Sequence, residues 1–291
     1  MADKVKLGMI QLCGCSGCHM SLLDLHEKLL DVLPNLEIVY GPIVADVKEI
    51  PEGIDVFLIE GGIRNEHDKH LTEEIREKSK IVVAWGTCAA YGGIPALGNL
   101  YSTKNLLNEI YATGSVDNPD EIPEENVPKL LDRVYPVSHI IKVDYTVPGC
   151  PPKPEHNASL IMALLEGKEP NILPTKILCD ECPRKKKGIH PKELKRTFEG
   201  IPDKELCLYE QGYTCLGMAT RAGCGAMCPS VNVPCRGCYG KTDAVLDQGA
   251  AVANAFASTG DAVLKLSDKV GLFYRFSMAD ALIPKKVEKK K

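Results

Sequence analysis

Thirteen cysteines constrain this 291-residue chain more than any other feature, and twelve of them sort into three sets of four. Cys15, Cys18, Cys88 and Cys150 are spread through the first half. Cys179, Cys182, Cys207, Cys215, Cys224, Cys228, Cys235 and Cys238 crowd into residues 179–238. Four thiolates are the ligand set of a 4Fe–4S cluster or of a structural zinc. Three such sites in one chain suit a conductor of electrons better than a single metal-stapled fold. An odd cysteine count argues against a closed disulfide framework. A reducing cytoplasm would in any case keep the thiols reduced.

That compartment is the one the sequence suggests. The segment MADKVKLGMIQLC runs directly into a strand-like stretch, with no basic region, twin arginine or cleavage site. No run of roughly 18 apolar residues occurs, so no membrane span is expected. A net charge of −4 predicts no general attraction to nucleic acid or anionic membrane. Hydrophobic content of 44% and charged content of 25% allow each of two domains a core.

Residues 1–170 alternate strand and helix. Val5–Leu12, Glu37–Tyr40, Ile54–Ile59, Ile81–Trp85 and Ser138–Val147 read as strands. Met20–Leu33, Asp68–Ser79 and Glu155–Glu166 read as helices, and 115–128 as a polar, proline-rich surface excursion. The pattern predicts an α/β fold with a mostly parallel, doubly wound sheet. From 171 to 291 glycine, proline and cysteine multiply, and Ala244–Thr259 alone reads as a firm helix. Such a segment is expected to lean on inorganic sites in place of part of a hydrophobic core.

The first four cysteines follow strands: Cys15 and Cys18 the first, Cys88 the Ile81–Trp85 run, and Cys150 the last. In an open parallel sheet these strand ends share one edge, which is where ligands bind. Gly14, Gly17, Gly86 and Gly149 beside them allow close backbone approach and free N–H groups. A thioredoxin-type reading of Cys15-Ser16-Gly17-Cys18 leaves Cys88 and Cys150 unexplained. Zinc sites usually combine two short-range pairs, so iron–sulfur is preferred. For the eight later cysteines spacing alone does not partition the ligands. A two-zinc nucleic-acid module is the rival there, superficially supported by Arg184-Lys185-Lys186-Lys187, but no aromatic stacking platform accompanies it.

These motifs together resemble the small subunit of NiFe hydrogenases over nearly the whole chain. The resemblance is carried by Cys15-Ser16-Gly17-Cys18, Gly86-Thr87-Cys88-Ala89, Gly149-Cys150-Pro151-Pro152, Cys215-x8-Cys224 and Pro234-Cys235-x-Gly237-Cys238. It implies a flavodoxin-like first domain in which Cys15, Cys18, Cys88 and Cys150 hold a proximal 4Fe–4S cluster. It further implies a medial cluster on Cys224, Cys228, Cys235 and Cys238, and a distal one on Cys179, Cys182, Cys207 and Cys215. Many relatives have histidine where Cys179 stands and proline where Cys228 stands, so this chain is expected to carry three all-cysteine 4Fe–4S clusters. The nickel motifs of the family's large subunit are absent, and no catalytic residue is expected on this chain. Nickel and dihydrogen chemistry belong to a large-subunit partner.

Within the family, the similarity is greatest to the cytoplasmic, viologen-reducing type of methanogenic archaea, which does not reduce deazaflavin. That implies electron delivery to an iron–sulfur acceptor subunit and the heterodisulfide reductase system. A deazaflavin-reducing relative, a complex-I-like cluster subunit and a zinc module are the alternatives. Oxygen-tolerant relatives have an extra cysteine where Gly17 stands, so that property does not transfer. Cys13 is expected to be a buried free thiol, and Glu60 a satisfied carboxylate at the sheet edge. The run Arg184–Lys187 is expected to be an exposed loop, able to dock an acidic acceptor.

Overall fold

The computed structural model describes residues 4–114, 116–117 and 121–282. Of the excursion expected at 115–128, residues 115 and 118–120 lie outside that range. The chain divides into two units, 4–170 with 278–282, and 171–277.

The first unit is built on β1 (Val5–Gln11), β2 (Leu36–Tyr40), β3 (Ile54–Glu60), β5 (Ser79–Trp85) and β7 (Tyr145–Val147). These five are parallel neighbours in the order β2-β1-β3-β5-β7. Among sheet strands alone this is 2-1-3-4-5, the flavodoxin-like doubly wound order whose ligand crevice opens at the β1/β3 switch. The pair β4 (Ile63–Asn65) and β6 (Leu130–Tyr135) forms a small antiparallel ribbon. Strands β3 and β5 read as continuous apolar runs because both faces are covered. Ile54, Phe57, Ile59, Val82 and Trp85 are wholly buried, each worth about 1.5–3 kcal/mol of transfer free energy.

Helices α1 (Gly17–Leu23), α2 (Leu29–Val32), α3 (Glu66–Lys78), α4 (Thr87–Tyr91), α5 (Thr103–Tyr111) and α6 (Pro154–Leu165) complete this unit. Asn65 caps α3 by accepting the Asp68 N–H at 2.8 Å. The single helix expected over Met20–Leu33 is broken. It ends at Leu23, and 3-10 turns at His26–Lys28 and Leu33–Asn35 flank α2. Leu22 and Leu25 are buried but Leu30 is 66% exposed, so the leucine stripe does not stay on one face. Of the strand expected over Ser138–Val147, only Tyr145–Val147 is a strand. Just before it, the Asp144 carboxylate accepts the Val82 N–H at 2.8 Å and the Asp144 N–H donates to the Val82 carbonyl at 2.9 Å.

The second unit has α7 (Met227–Ser230), α8 (Gln248–Ala257) and α9 (Lys269–Phe273), and among its described residues no strand longer than an isolated bridge. The helix expected over 244–259 starts at Gln248, where Asp247 caps it by accepting the Ala250 N–H at 2.9 Å. Phe256 packs edge-on against Tyr209 and stacks with Phe273. The second domain was expected to continue to 291, but residues 278–282 group with the first unit. Gly92, at φ +88°, makes room there: a Cβ would lie 2.4 Å from that of Ala279.

Candidate iron–sulfur sites

Three strand ends build the first site. Cys15 lies in the β1–α1 loop and Cys18 in the first turn of α1; Cys88 opens α4 after β5, and Cys150 follows β7. The β5 and β7 loops are laced together. Gly86 N–H donates to the Val147 carbonyl at 2.8 Å, Thr87 N–H to that of Gly149 at 2.9 Å, and Gly149 N–H to Thr87 Oγ1 at 2.8 Å. Two glycines are required by close approach. A Cβ on Gly86 (φ +84°) would sit 2.2 Å from Cys18 Sγ, and one on Gly93 (φ +57°) 2.4 Å from Cys88 Sγ.

The structure brings these four thiols within electrostatic reach of one another. Burial, then the Glu60 carboxylate, then Cys88, Cys150 and Cys15 push the Cys18 thiol far up. Burial followed by Cys150 and Cys15 pushes Cys88 up to about 12. Cys150 is raised by burial, then by Cys15 and Glu60. Such a set resists ionisation unless positive charge arrives with the ligand it holds, as iron does. Cys15 and Cys150 are exposed and Cys18 is buried, so the site has one open rim.

Glu60 is more than a loop carboxylate. It ends β3 and is 2% exposed. Its side chain accepts the Cys18 N–H at 3.4 Å and the His19 N–H at 3.3 Å, and pairs with His19 Nδ1 at 2.5 Å. A buried chain then fixes α1: Trp85 Nε1 donates to Asn157, the Asn157 amide to Ser21, and Ser21 to the Pro152 carbonyl. Sequence reading passed over Ser21 and Asn157, whose polar side chains stand among apolar residues, and took Thr87 only as part of the Gly86–Ala89 motif. Cys13 is half-buried and not wholly so. Its backbone bridges to Gly62 through N–H···O bonds of 3.0 and 2.9 Å, and burial raises its thiol.

The second unit holds the other eight. Cys179, Cys182, Cys207 and Cys215 line one cavity of about 180 Å³, with Leu178, Leu208 and Tyr209 among its walls. Cys207 N–H donates to the Lys185 carbonyl at 2.8 Å, and Lys185 N–H to that of Glu205 at 2.8 Å, which ties the Cys182 and Cys207 loops. Burial pushes Cys215 up to about 12, against the pull of the Gly217 and Cys235 N–H groups. Burial raises Cys179 and Lys186 opposes it. Beside this set, Cys224 feels Cys228, and Cys235 feels Cys215 and Cys238. The two sets abut where the Cys235 N–H donates to Cys215 Sγ at 3.3 Å.

Among the described residues, no three His, Cys, Asp or Glu side chains gather closely enough to grip a single metal ion. A tetrahedral zinc would need its sulfurs only about 3.8 Å apart, given Zn–S bonds near 2.3 Å. A 180 Å³ cavity walled by four thiols fits a larger inorganic group. The basic run is exposed at Lys185, Lys186 and Lys187, as expected, and departs from expectation at Arg184. Arg184 is 8% exposed, and its guanidinium donates to the carbonyls of Pro229 (2.7 Å), Asp203 (2.8 Å) and Leu206 (2.9 Å) and to Asn232. It braces three loops, as a planar five-donor group can. Lys185 is paired with Glu205 at 2.7 Å, and Lys186 lines the cavity. No described helix is long and apolar enough to cross a membrane.

Residues 15–164 match the family model "NADH ubiquinone oxidoreductase, 20 Kd subunit", a span that ends before the eight later cysteines. The chain is 68% identical over 289 residues to the G subunit of the vhu F420-non-reducing hydrogenase of Methanococcus voltae, covering 99% of this chain and 100% of that one. It is also 68% identical to the protein of the same name from Methanocaldococcus jannaschii, covering 98% of each. Among solved structures, an NAD+-reducing [NiFe]-hydrogenase in the H2-reduced state matches 58% of this chain and 94% of its own, at 35% identity and a TM-score of 0.56.

Proposed function

This chain belongs to the family of F420-non-reducing hydrogenase G subunits, oxidoreductase subunits, and on that premise we propose that it relays electrons through three 4Fe–4S clusters from a NiFe large subunit to an acceptor. Cys15, Cys18, Cys88 and Cys150 hold the proximal cluster. Cys224, Cys228, Cys235 and Cys238 hold the medial one, and Cys179, Cys182, Cys207 and Cys215 the distal one. The observation that carries the proposal is the single cavity walled by the four distal cysteines. When bound, the clusters supply one-electron redox chemistry.

The protein's own residues set position, charge and exclusion of water. Leu178, Leu208 and Tyr209 give the distal cavity apolar wall, while Arg184 and Lys186 bring positive charge to the same lining, which favours a negatively charged cluster. The Gly217 and Cys235 N–H groups point at Cys215 and stabilise its thiolate. At the proximal site the open rim at Cys15 and Cys150 is where the large subunit would sit. The acceptor is an iron–sulfur subunit, probed through its supply of the heterodisulfide reductase system in the cytoplasm.

Metal analysis of the purified complex tests the count: about twelve iron and twelve sulfide are expected from this chain, given four of each per cluster. Cys88→Ala should remove about a third of both and most hydrogen-driven viologen reduction, while nickel stays on the partner. Full iron and full activity in that variant would remove the proximal assignment.

A further inference from the structure

Glu181 stands between two distal ligands, Cys179 and Cys182, yet its side chain does not serve their loop. Its carboxylate reaches the Cys224 loop. There it accepts the Gly223 N–H at 3.1 and 3.0 Å through its two oxygens, and the Ala226 N–H at 3.1 Å. Cys224 Sγ lies 3.7 Å from the same oxygen that accepts from Ala226. That loop is unusual in its backbone. Gly223, Gly225 and Ala226 have φ of +116°, +69° and +50°. Left-handed residues in such a run turn their N–H groups into one concavity, a nest that binds an anion. The left-handed conformation at Ala226, a non-glycine, is disfavoured by its Cβ, so it needs a partner that holds it. Glu181 is that anion.

We propose that Glu181 is a positioning residue for Cys224: it fixes the ligand loop of the medial cluster from within the ligand loop of the distal one, and holds a fixed negative charge beside the medial site. The inference rests on the cluster reading above and deepens it. Two consequences follow from the geometry. Charge-assisted hydrogen bonds to two backbone amides shape the Cys224 loop, so their loss should loosen one ligand of the medial set and none of the proximal set. A carboxylate so near a ligating thiolate disfavours adding an electron, so neutralising it should raise the reduction potential of that one centre.

The test uses the intact purified complex, with Glu181→Gln, Glu181→Ala and the exposed-site control Glu77→Gln. Iron and sulfide content and an anaerobic redox titration followed by electron paramagnetic resonance are read for each. Glu181→Gln is expected to keep full iron and to move one of the three reduced-state signals to higher potential, the other two unmoved. Glu181→Ala is expected to lose up to a third of the iron, taken from the same signal. Glu77→Gln, at an exposed position in the first unit, should change nothing. If wild type does not carry about twelve iron per chain beyond the iron of its partner subunits, the cluster reading fails and the inference falls with it. If wild type does, unmoved signals in Glu181→Gln, or a common shift of all three, overturn the inference alone. The Gln variant keeps a carbonyl acceptor, so this outcome is decided even where the Ala variant fails to assemble.

Discussion

The two units reach the same end, cysteines converging on one place, by opposite means. In the first, the Cys15–Cys18 pair, Cys88 and Cys150, far apart in sequence, meet because strands β1, β5 and β7 end at one edge of a sheet that apolar burial holds together. In the second, no sheet exists among the described residues. Its loops are held by polar brackets: Arg184 on three carbonyls, Glu181 on two amides, and Arg221 on Asp243. Glu210 does the same for the Lys187 and Gly188 amides at 2.7 and 2.8 Å. A sheet can shape a site before its ligand arrives. A loop assembly with a small core depends on its ligand for much of its stability.

Removing the metal should therefore separate the units most. Anaerobic chelation of iron is expected to speed amide hydrogen exchange across 171–277 by about 100-fold or more, leaving the amides of β1, β3 and β5 protected. Equal loss of protection in both units would break the comparison at its root.

Glycine substitutions at the two sites give the next largest effect. In Gly86→Ala the new Cβ would meet Cys18 Sγ at 2.2 Å on a backbone at φ +84°. The left-handed conformation alone costs about 1–2 kcal/mol, and the rigid sheet edge gives no relief, so about a third of the iron should be lost. In Gly217→Ala the nearest atoms are Leu178 Cδ2 at 3.1 Å and Cys179 Sγ at 3.4 Å. That contact yields with small shifts, and full iron is expected. Iron analysis of both variants decides it.

Legibility from sequence follows the same division. The first unit could be read well because apolar runs such as Ile81–Trp85 report strands buried on both faces, and a parallel order forces Cys18, Cys88 and Cys150 to one edge. What escaped there were pieces with weak periodicity: the ribbon of β4 and β6, the break after Leu23, and the 3-10 turn at Val137–His139. In the second unit the clustering of the cysteines was legible, but the roles of charged residues were not. Arg184 looked like one of four surface charges because its neighbours in sequence are lysines, whereas its partners are carbonyls at Asp203, Leu206 and Pro229. Glu181 gave one available signal, an acid placed between two thiolate ligands where repulsion should disfavour it. Polar bracketing is set by distant backbone, which leaves no period in the sequence.

Arg184 sharpens the comparison further. Arg184→Ala would strip the guanidinium from three carbonyls and leave them the Gln211 amide and the Asn232 N–H alone, and should destabilise the second unit by about 1.5–3 kcal/mol. Lys187→Ser, at an exposed position, should stay within about 0.5 kcal/mol. Thermal or denaturant unfolding read from the second unit compares them; equal effects would return Arg184 to the surface.

The smallest effect is expected in the first unit, where a polar bracket only supplements the sheet. Arg76 Nη1 donates to Asp144 at 2.6 Å, and Asp144 in turn accepts the Val82 N–H. Burial alone would raise the Asp144 carboxyl, but the Arg76 guanidinium and the Val82 N–H outweigh it and hold it below the usual range. A carboxyl lowered in the folded state binds its proton more readily when unfolded, so its contribution is present above the unfolded value, about 3.9. It is lost as pH falls through the lower folded value. Asp144→Asn should thus lower stability near neutral pH by about 1 kcal/mol or less and flatten the acid limb of the stability curve below about pH 4. Unfolding of the first unit followed from pH 7 down to pH 3 measures both. A steeper acid limb in the variant would show that the bracket does not carry the proton linkage, and a loss near that of Arg184→Ala would show that polar brackets matter equally in both units.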